Sequence, residues 1–78
     1  MINVPELITD LTLLQFEIAD TKFGFYSAYL KSIDLKIFIY QTKLSVALCY
    51  RNNESYDITS NAEVLNKVVK LLEENNED

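Results

Sequence analysis

Residues 35–51, LKIFIYQTKLSVALCYR, form the longest uninterrupted strand-like run in this chain and decide its fold. Aliphatic residues alternate with other residues along both halves, and in an extended chain successive side chains point to opposite faces. The residues that share one face are Leu35, Ile37, Ile39, Leu44, Val46 and Leu48. The pattern therefore predicts a β-hairpin with one aliphatic face.

The loop of this hairpin has two alternative lengths. A two-residue loop of Gln41 and Thr42 places Ile39 opposite Leu44, but such a turn favours Asn, Asp or Gly at its centre, where φ is positive. A four-residue loop over residues 41–44 keeps the same side chains on the same face. The sequence leaves both registers open.

The apolar residues in the first part of the chain follow helical spacing from Val4 to about Ala19. Asn3 is a possible N-cap, and Pro5 falls in the first turn, where its missing N–H is tolerated. This pattern predicts a first helix with one apolar stripe.

A second apolar stripe with helical spacing begins after Ser60 and Asn61. Either residue can cap a helix, and Glu63 follows Ser60 at the spacing of a capping box. Residues 73–78 hold four acids and two asparagines, and the helix dipole disfavours negative charge at that end. We therefore expect a second helix with a frayed acidic tail over residues 73–78.

Two shorter segments, residues 21–31 and residues 52–59, join these elements. Residues 21–31 alternate like a strand but also fit helical spacing, and Gly24 together with many aromatic residues favours the strand. Residues 52–54 are typical of a turn. Residues 55–59 then predict a short strand with Tyr56 opposite Tyr50.

The predicted order is helix, three- or four-stranded antiparallel β-meander, helix. With both helices on the aliphatic face of the sheet, this is a two-layer α+β fold. A chain of 78 residues makes one domain, residues 1–78, that buries only about 60% of its unfolded surface. The apolar content of 49% is enough for one core.

The composition argues against catalysis. There is no histidine and only one glycine, so the commonest general base, the commonest metal ligand and a Gly-rich phosphate-binding loop are all missing. Cys49 lies in a strand pattern and is expected to be a buried, inert thiol. We expect a protein that is not an enzyme and uses no cofactor, metal or small-molecule substrate.

No stretch near the amino terminus resembles a signal peptide, because acids interrupt its apolar residues and no basic segment precedes them. The sequence also lacks a run of about 18 apolar residues that could span a membrane. We therefore expect a cytoplasmic protein without a membrane partner.

Charge is unevenly distributed along the chain. Residues 1–20 carry four acids and no basic residue, residues 21–51 carry five basic residues and one acid, and residues 52–78 carry seven acids and two lysines. This layout predicts acidic helices and a basic sheet. Ordinary solubility and the protection of sheet edges would produce a similar layout.

The second face of the predicted sheet is the first candidate binding surface. If the aliphatic residues face the helices, Lys36, Phe38 and Tyr40 point the other way, and Arg51 follows on the second strand. Adjacent exposed aromatic residues usually mark a surface that something covers. Another protein, a second copy of the chain or stacked single-stranded nucleic acid could do so. Nucleic acid is the least favoured, because the chain is acidic and has no RNP-type motif.

The acidic residues are the second candidate. Asp10, Glu17 and Asp20, together with the acids of the carboxyl end, could occupy the basic groove of a nucleic-acid-binding protein, where carboxylates stand in for phosphates. In layout, size and charge the chain is similar to some small phage-encoded inhibitors of host nucleases. This similarity covers topology and involves no motif.

The leading hypothesis is therefore a small acidic, non-catalytic protein–protein interaction module. It would act as an inhibitor or accessory protein of phage or bacterial origin on a basic, nucleic-acid-binding partner. A structural homodimer that packs through its sheet is the alternative, and single-stranded nucleic-acid binding is a weaker one.

Overall fold

Five antiparallel strands follow one another in a meander between two helices in the computed structural model, which describes residues 1–75. The helices are α1 (Val4–Leu13) and α2 (Asn61–Asn75), and a short 3-10 turn spans Lys31–Ile33. The strands are β1 (Glu17–Asp20), β2 (Phe25–Leu30), β3 (Leu35–Tyr40), β4 (Ser45–Tyr50) and β5 (Asn53–Ile58). The α+β arrangement is confirmed, whereas the predicted count of three or four strands is too low.

The central hairpin of β3 and β4 has the four-residue loop. Ile39 lies opposite Val46, and Ile37 lies opposite Leu48. The two-residue alternative is wrong, and Leu44, which it placed in the strand, is a loop residue with φ of 50°. Because both registers put the same side chains on one face, the aliphatic face is as predicted.

The first helix ends at Leu13, well before the predicted end near Ala19. Gln15 adopts a left-handed φ of 73°. The N–H of Phe16 donates to the carbonyl of Leu11, and the N–H of Gln15 donates to that of Thr12. These bonds form a Schellman motif, which stops a helix. The chain after it is free to form β1, the strand that helical spacing concealed.

The ambiguous segment is a strand, as favoured, but it starts at Phe25. The preceding loop bends at Lys22 and Gly24, with φ of 69° and 88°. An added Cβ at Gly24 would meet nothing within 4 Å. The glycine is therefore favoured by its backbone conformation and not by a close approach of other atoms.

The turn between β4 and β5 is shorter than predicted. Arg51 and Asn52 form it, both with positive φ, as in a two-residue turn that matches the twist of a hairpin. Tyr50 consequently lies opposite Asn53 and not opposite Tyr56. The register shifts along β5, with Asp57 at φ of 57°, so that Ile58 lies opposite Val46.

Both helices cover the aliphatic face, and they meet at their amino ends. The N–H of Asn3 donates to Oδ1 of Asn61, and Nδ2 of Asn61 donates to the carbonyl of Asn3, both at 3.0 Å. Helices and sheet share one hydrophobic core. Its fully buried side chains are Leu7, Leu11, Leu35, Ile37, Ile39, Val46, Val64 and Val68.

The second helix continues through Asn75. Nδ2 of Asn75 donates to the carbonyl of Leu71 and to the hydroxyl of Tyr50, both at 2.8 Å. The expected frayed tail began at residue 73, so its first three residues are helical. Residues 76–78 of that tail lie outside the described residues.

Candidate interaction surface

Both helices lie on one side of the sheet, and we call the other side the open face. Cross-strand pairing places its residues in three rows. The middle row is Ser27, Phe38 and Ala47, and the row at the end nearest the β1–β2 and β3–β4 loops is Phe25, Tyr40 and Ser45. The row at the opposite end is Glu17, Tyr29, Lys36, Cys49 and Glu54.

Three half-buried rings form an aromatic cluster on the open face. Phe25 contacts Phe38 edge to face, with ring centroids 6.0 Å apart, and contacts Tyr40 at 5.5 Å. Each such pair contributes about 0.5–1.5 kcal/mol beyond the area it buries. The neighbouring Ser45 and Ala47 are only 7% and 6% exposed although no helix covers them. The aromatic cluster is therefore a fixed, partly solvated platform.

A depression of about 130 Å³ lies beside this cluster. Its walls include Phe38, Tyr40, Ala47 and Tyr56. The Tyr56 side chain is 63% exposed and its hydroxyl donates a hydrogen bond to Glu54. The open face therefore has a depression that a protruding side chain of a partner can fill.

Two lysines lie over tyrosine rings of the open face. Nζ of Lys43 is 5.6 Å from the ring centroid of Tyr40, and Nζ of Lys36 is 5.9 Å from that of Tyr29. At this distance an ammonium group is attracted to the ring face. Lys43 thus places positive charge above the aromatic cluster, and Lys36 places it in the row at the opposite end.

Tyr29 and Tyr56 each donate a hydrogen bond to a carboxylate, and both have an altered pKa. The Tyr29 hydroxyl donates to Oδ1 of Asp34 at 3.1 Å, and this bond, with smaller effects of desolvation and of the Asp34 and Glu17 charges, raises the pKa of Tyr29. The hydrogen bond to Glu54, again with desolvation and neighbouring charge, raises the pKa of Tyr56. Both hydroxyls are donors at neutral pH.

Of the four residues predicted for this surface, Lys36, Phe38 and Tyr40 lie together on the open face. The placement of Arg51 on it was wrong. Its guanidinium lies 5.1 Å from the ring of Tyr50, and Nη2 donates to Oδ1 of Asn75 in α2 at 3.3 Å. The positive φ of Arg51 ends the alternation of β4, so the side chain reaches the helical side.

The three acids predicted to bind a basic partner are not brought together. Asp10 is half-buried on α1, Glu17 is exposed on the open face, and Asp20 accepts a hydrogen bond from the N–H of Lys22 at 2.9 Å. The predicted division into acidic helices and a basic sheet is also wrong. Edge strands β1 and β5 carry four acids, and Lys36 is the only basic residue within a strand of the described chain.

The sequence did not reveal Phe25, Tyr29, Lys43 and Tyr56 as members of this surface. The alternation in residues 25–30 was visible, but its face depends on the register with β3, which sequence does not supply. Cys49 was expected to be buried, and it is half-buried on the open face. The sequence does indicate the face of Cys49, because Cys49 alternates with Leu48, which faces the core.

A second groove, of about 230 Å³, lies between α2 and the last two strands. Lys67, Lys70 and Glu74 line its helical wall. Within residues 1–75 no three Cys, Asp or Glu side chains are grouped closely enough to hold a metal ion. Neither described helix has both the length and the apolar composition required to cross a membrane.

Comparisons with protein-family models, with curated proteins and with solved structures found no match to this chain.

Proposed function

We propose that this protein is a small, cytoplasmic, non-catalytic protein-interaction module whose working surface is the open face. The observation that supports this is the aromatic cluster on a sheet whose helices both lie on the other side. Tyr, Phe and long basic side chains supply much of the binding energy in protein interfaces. An uncovered aromatic platform is typical of a surface that another protein covers.

The chemistry of the open face favours binding over catalysis. Its polar groups include two lysines that lie over rings, and two tyrosine hydroxyls that donate to carboxylates and have raised pKa values. The hydrogen bonds to these carboxylates raise the pKa of both tyrosines, so their hydroxyls ionise less readily than an ordinary tyrosine and are not activated as nucleophiles. The Cys49 thiol has no histidine beside it because the chain contains none.

The finer hypothesis, an inhibitor or accessory protein of phage or bacterial origin acting on a basic partner, is supported by the net charge of −5. Such a charge accelerates encounter with a basic protein. The acids are spread over α1, β1, β5 and α2, which suits general attraction more than mimicry of a phosphate row. Nucleic-acid binding on Phe38 and Tyr40 remains the weaker alternative, because the net charge opposes it.

Site-specific photo-crosslinking tests the proposed function. Benzoylphenylalanine would replace Tyr56, which is exposed on the open face, and in a matched control it would replace Val69, which is 43% exposed on α2. After irradiation in an extract of the source cells, we expect a discrete protein adduct from position 56 and none from position 69. Equal labelling from both positions, no protein adduct, or an adduct with nucleic acid would contradict the proposal.

A further inference from the structure

Basic side chains of this protein repeatedly lie over tyrosine rings. Three such pairs, at distances between 5.1 and 5.9 Å, are Lys36 with Tyr29, Lys43 with Tyr40, and Arg51 with Tyr50. Contacts of this kind occur about once per 70–80 residues in folded proteins. Three of them within residues 1–75 is a high density, so the tyrosine rings of this chain are recurrent partners of cations.

Arg51 shows which combination of groups holds a guanidinium in this protein. Its guanidinium lies over the ring of Tyr50, and Nη2 donates to the side-chain oxygen Oδ1 of Asn75 at 3.3 Å. Because a guanidinium is planar, it can stack on a ring and donate hydrogen bonds in its own plane at the same time. A tyrosine ring with an oxygen acceptor nearby is therefore a pair that this chain already uses for arginine.

The depression on the open face offers the same pair of groups to a partner. Ala47, opposite Phe38, has a small side chain, and the larger side chains around it leave a space of about 130 Å³. Its walls include the rings of Phe38, Tyr40 and Tyr56 and the carboxylate of Glu54. A water molecule takes about 30 Å³ of the liquid, so the depression has room for about four waters or for a guanidinium, which has a similar number of non-hydrogen atoms.

Tyr56 is the most accessible ring of this depression. Its side chain is 63% exposed, and within residues 1–75 no Lys or Arg head group lies over its ring. Its hydroxyl donates to Oε2 of Glu54. An ionised carboxylate has about four acceptor positions, so Glu54 can accept further hydrogen bonds from a guanidinium beside the ring.

The chain's own cations compete little for this depression. The basic residues of the sheet and its loops are Lys22, Lys31, Lys36, Lys43 and Arg51. The first two flank β2, three strands from β5, while Lys36 also reaches toward β2 and Arg51 reaches toward α2. Lys43 lies over the Tyr40 ring, at one wall of the depression. It is an exposed loop residue, and its charge opposes a second cation there.

We propose that this depression binds an arginine side chain of a basic protein partner, with the guanidinium stacked on Tyr56 and hydrogen-bonded to Glu54. This inference rests on the proposed function and names the residue type that the open face recognises. The net charge of −5 favours encounter with a basic protein. A quaternary ammonium has no N–H to donate to Glu54, and the ammonium of lysine is more strongly hydrated than a guanidinium, so arginine fits these groups best.

A titration of the full chain, followed by its amide chemical shifts, tests the proposal. The probes are N-acetyl-arginine methylamide, the matching citrulline derivative, which has nearly the same shape but no charge, and choline. We expect the arginine derivative to shift the amide signals of Glu54 and Tyr56 with a dissociation constant on the order of 1–10 mM, as a single side chain gives. The citrulline derivative should bind about fivefold more weakly. Equal binding of the citrulline derivative or of choline would overturn the proposal.

Matched variants locate the site. Tyr56→Leu and Glu54→Gln should each weaken binding of the arginine derivative about twofold to fivefold. Both side chains are exposed, so the core stays intact. Tyr29→Leu and Glu17→Gln make the same changes at a tyrosine and a glutamate that lie opposite each other on β2 and β1, far from β5, and should leave binding unchanged. Equal losses in the two sets of variants would overturn the proposal.

Lys43 provides a test with the opposite sign. Lys43→Gln removes the ammonium over Tyr40 and should strengthen binding of the arginine derivative about twofold. Lys70→Gln makes the same change in net charge on α2, on the covered side of the sheet, and should have no effect. Equal effects of the two variants would show that net charge and not the depression governs binding, and would overturn the proposal.

The crosslinking experiment distinguishes failure of this inference from failure of the proposed function. A discrete protein adduct from position 56, together with equal binding of the arginine and citrulline derivatives, would leave the proposed function standing and overturn the arginine site. The absence of any protein adduct, together with equal binding of the two derivatives, would overturn both.

Discussion

Gln15 has a conformation that its side chain disfavours. Its φ of 73° lies in the left-handed region, where a residue with a Cβ is less stable by about 1–2 kcal/mol than in a right-handed one. Glycine is the usual residue at this position of a Schellman motif. We therefore predict that Gln15→Gly raises the free energy of unfolding by about 0.5–1 kcal/mol in urea denaturation.

The control for this prediction is Gln15→Ala, which shortens the side chain but keeps the Cβ. It should give no stabilisation, because alanine shares the disfavoured left-handed backbone. A gain equal to that of glycine would show that the Gln15 side chain, and not its backbone, was responsible.

Tyr29 and Tyr56 should titrate later than ordinary tyrosines. Their hydrogen bonds to Asp34 and Glu54 raise both pKa values above the usual 10.0. An alkaline titration followed by tyrosinate absorbance should show a late component that Tyr29→Phe and Tyr56→Phe each reduce. A late component that stays unchanged in both variants would contradict this assignment.

The raised pKa of these two tyrosines determines how stability should change with pH. A tyrosine whose folded pKa is raised holds its proton more tightly in the folded state. Its contribution is therefore complete below pH 10.0, the unfolded value, and is lost as the pH rises through the folded value. If the free energy of unfolding of the two Phe variants fell as steeply over this pH range as that of the native chain, the two hydrogen bonds would not account for the alkaline loss of stability.

Positive φ at residues other than glycine explains most of the differences between the predicted and the observed ends of the helices and strands. Seven such residues occur in the described chain, against one glycine. Gln15 ends α1, Leu44 closes the β3–β4 loop, and Arg51 with Asn52 forms the β4–β5 turn. Hydrophobic periodicity does not register these backbone states, and at Gln15, Leu44 and Arg51 the residue type gives no sign of a left-handed backbone either.

At the scale of elements, α2 offers a matched pair of valines. Val68 is fully buried, and its neighbour Val69 is 43% exposed. We predict that Val68→Ala lowers the free energy of unfolding by about 2 kcal/mol, because it leaves a cavity in the core. Val69→Ala should change it by less than about 0.5 kcal/mol. Similar losses for both variants would contradict the observed orientation of the helix.

Strong period-two or helical patterns made β3, β4 and both helical stripes predictable. β1 was not, because Ile18 fits the apolar stripe of a continued α1 as well as the core side of a strand. Only the Schellman motif, in which the N–H of Phe16 donates to the carbonyl of Leu11, distinguishes the two. Phe38 was assigned to the correct face because it alternates with aliphatic residues of β3. Phe25 was not recognised, because the face of β2 depends on its register with β3.

At the scale of the molecule, the packing of both helices on one side of the sheet determines which surface is available for binding. Because both helices contribute to one core on one side, the aliphatic face of the sheet is covered there, whereas neither helix covers the open face. Acids on β1 and β5 border that face at both edges. Charged edge strands disfavour pairing with further strands, so association through the open face is favoured over growth of the sheet at its edges.

Amide hydrogen exchange at low and high protein concentration distinguishes these two modes of association. In both cases we expect the slowest exchange in β3, which is paired on both sides and has three fully buried side chains, Leu35, Ile37 and Ile39. Face stacking forms no new backbone hydrogen bonds, so the outward amides of β1 and β5 should exchange equally fast at both concentrations. Edge pairing would slow the outward amides of one of these strands as the concentration rises, and that result would contradict the conclusion that the charged edges oppose growth of the sheet.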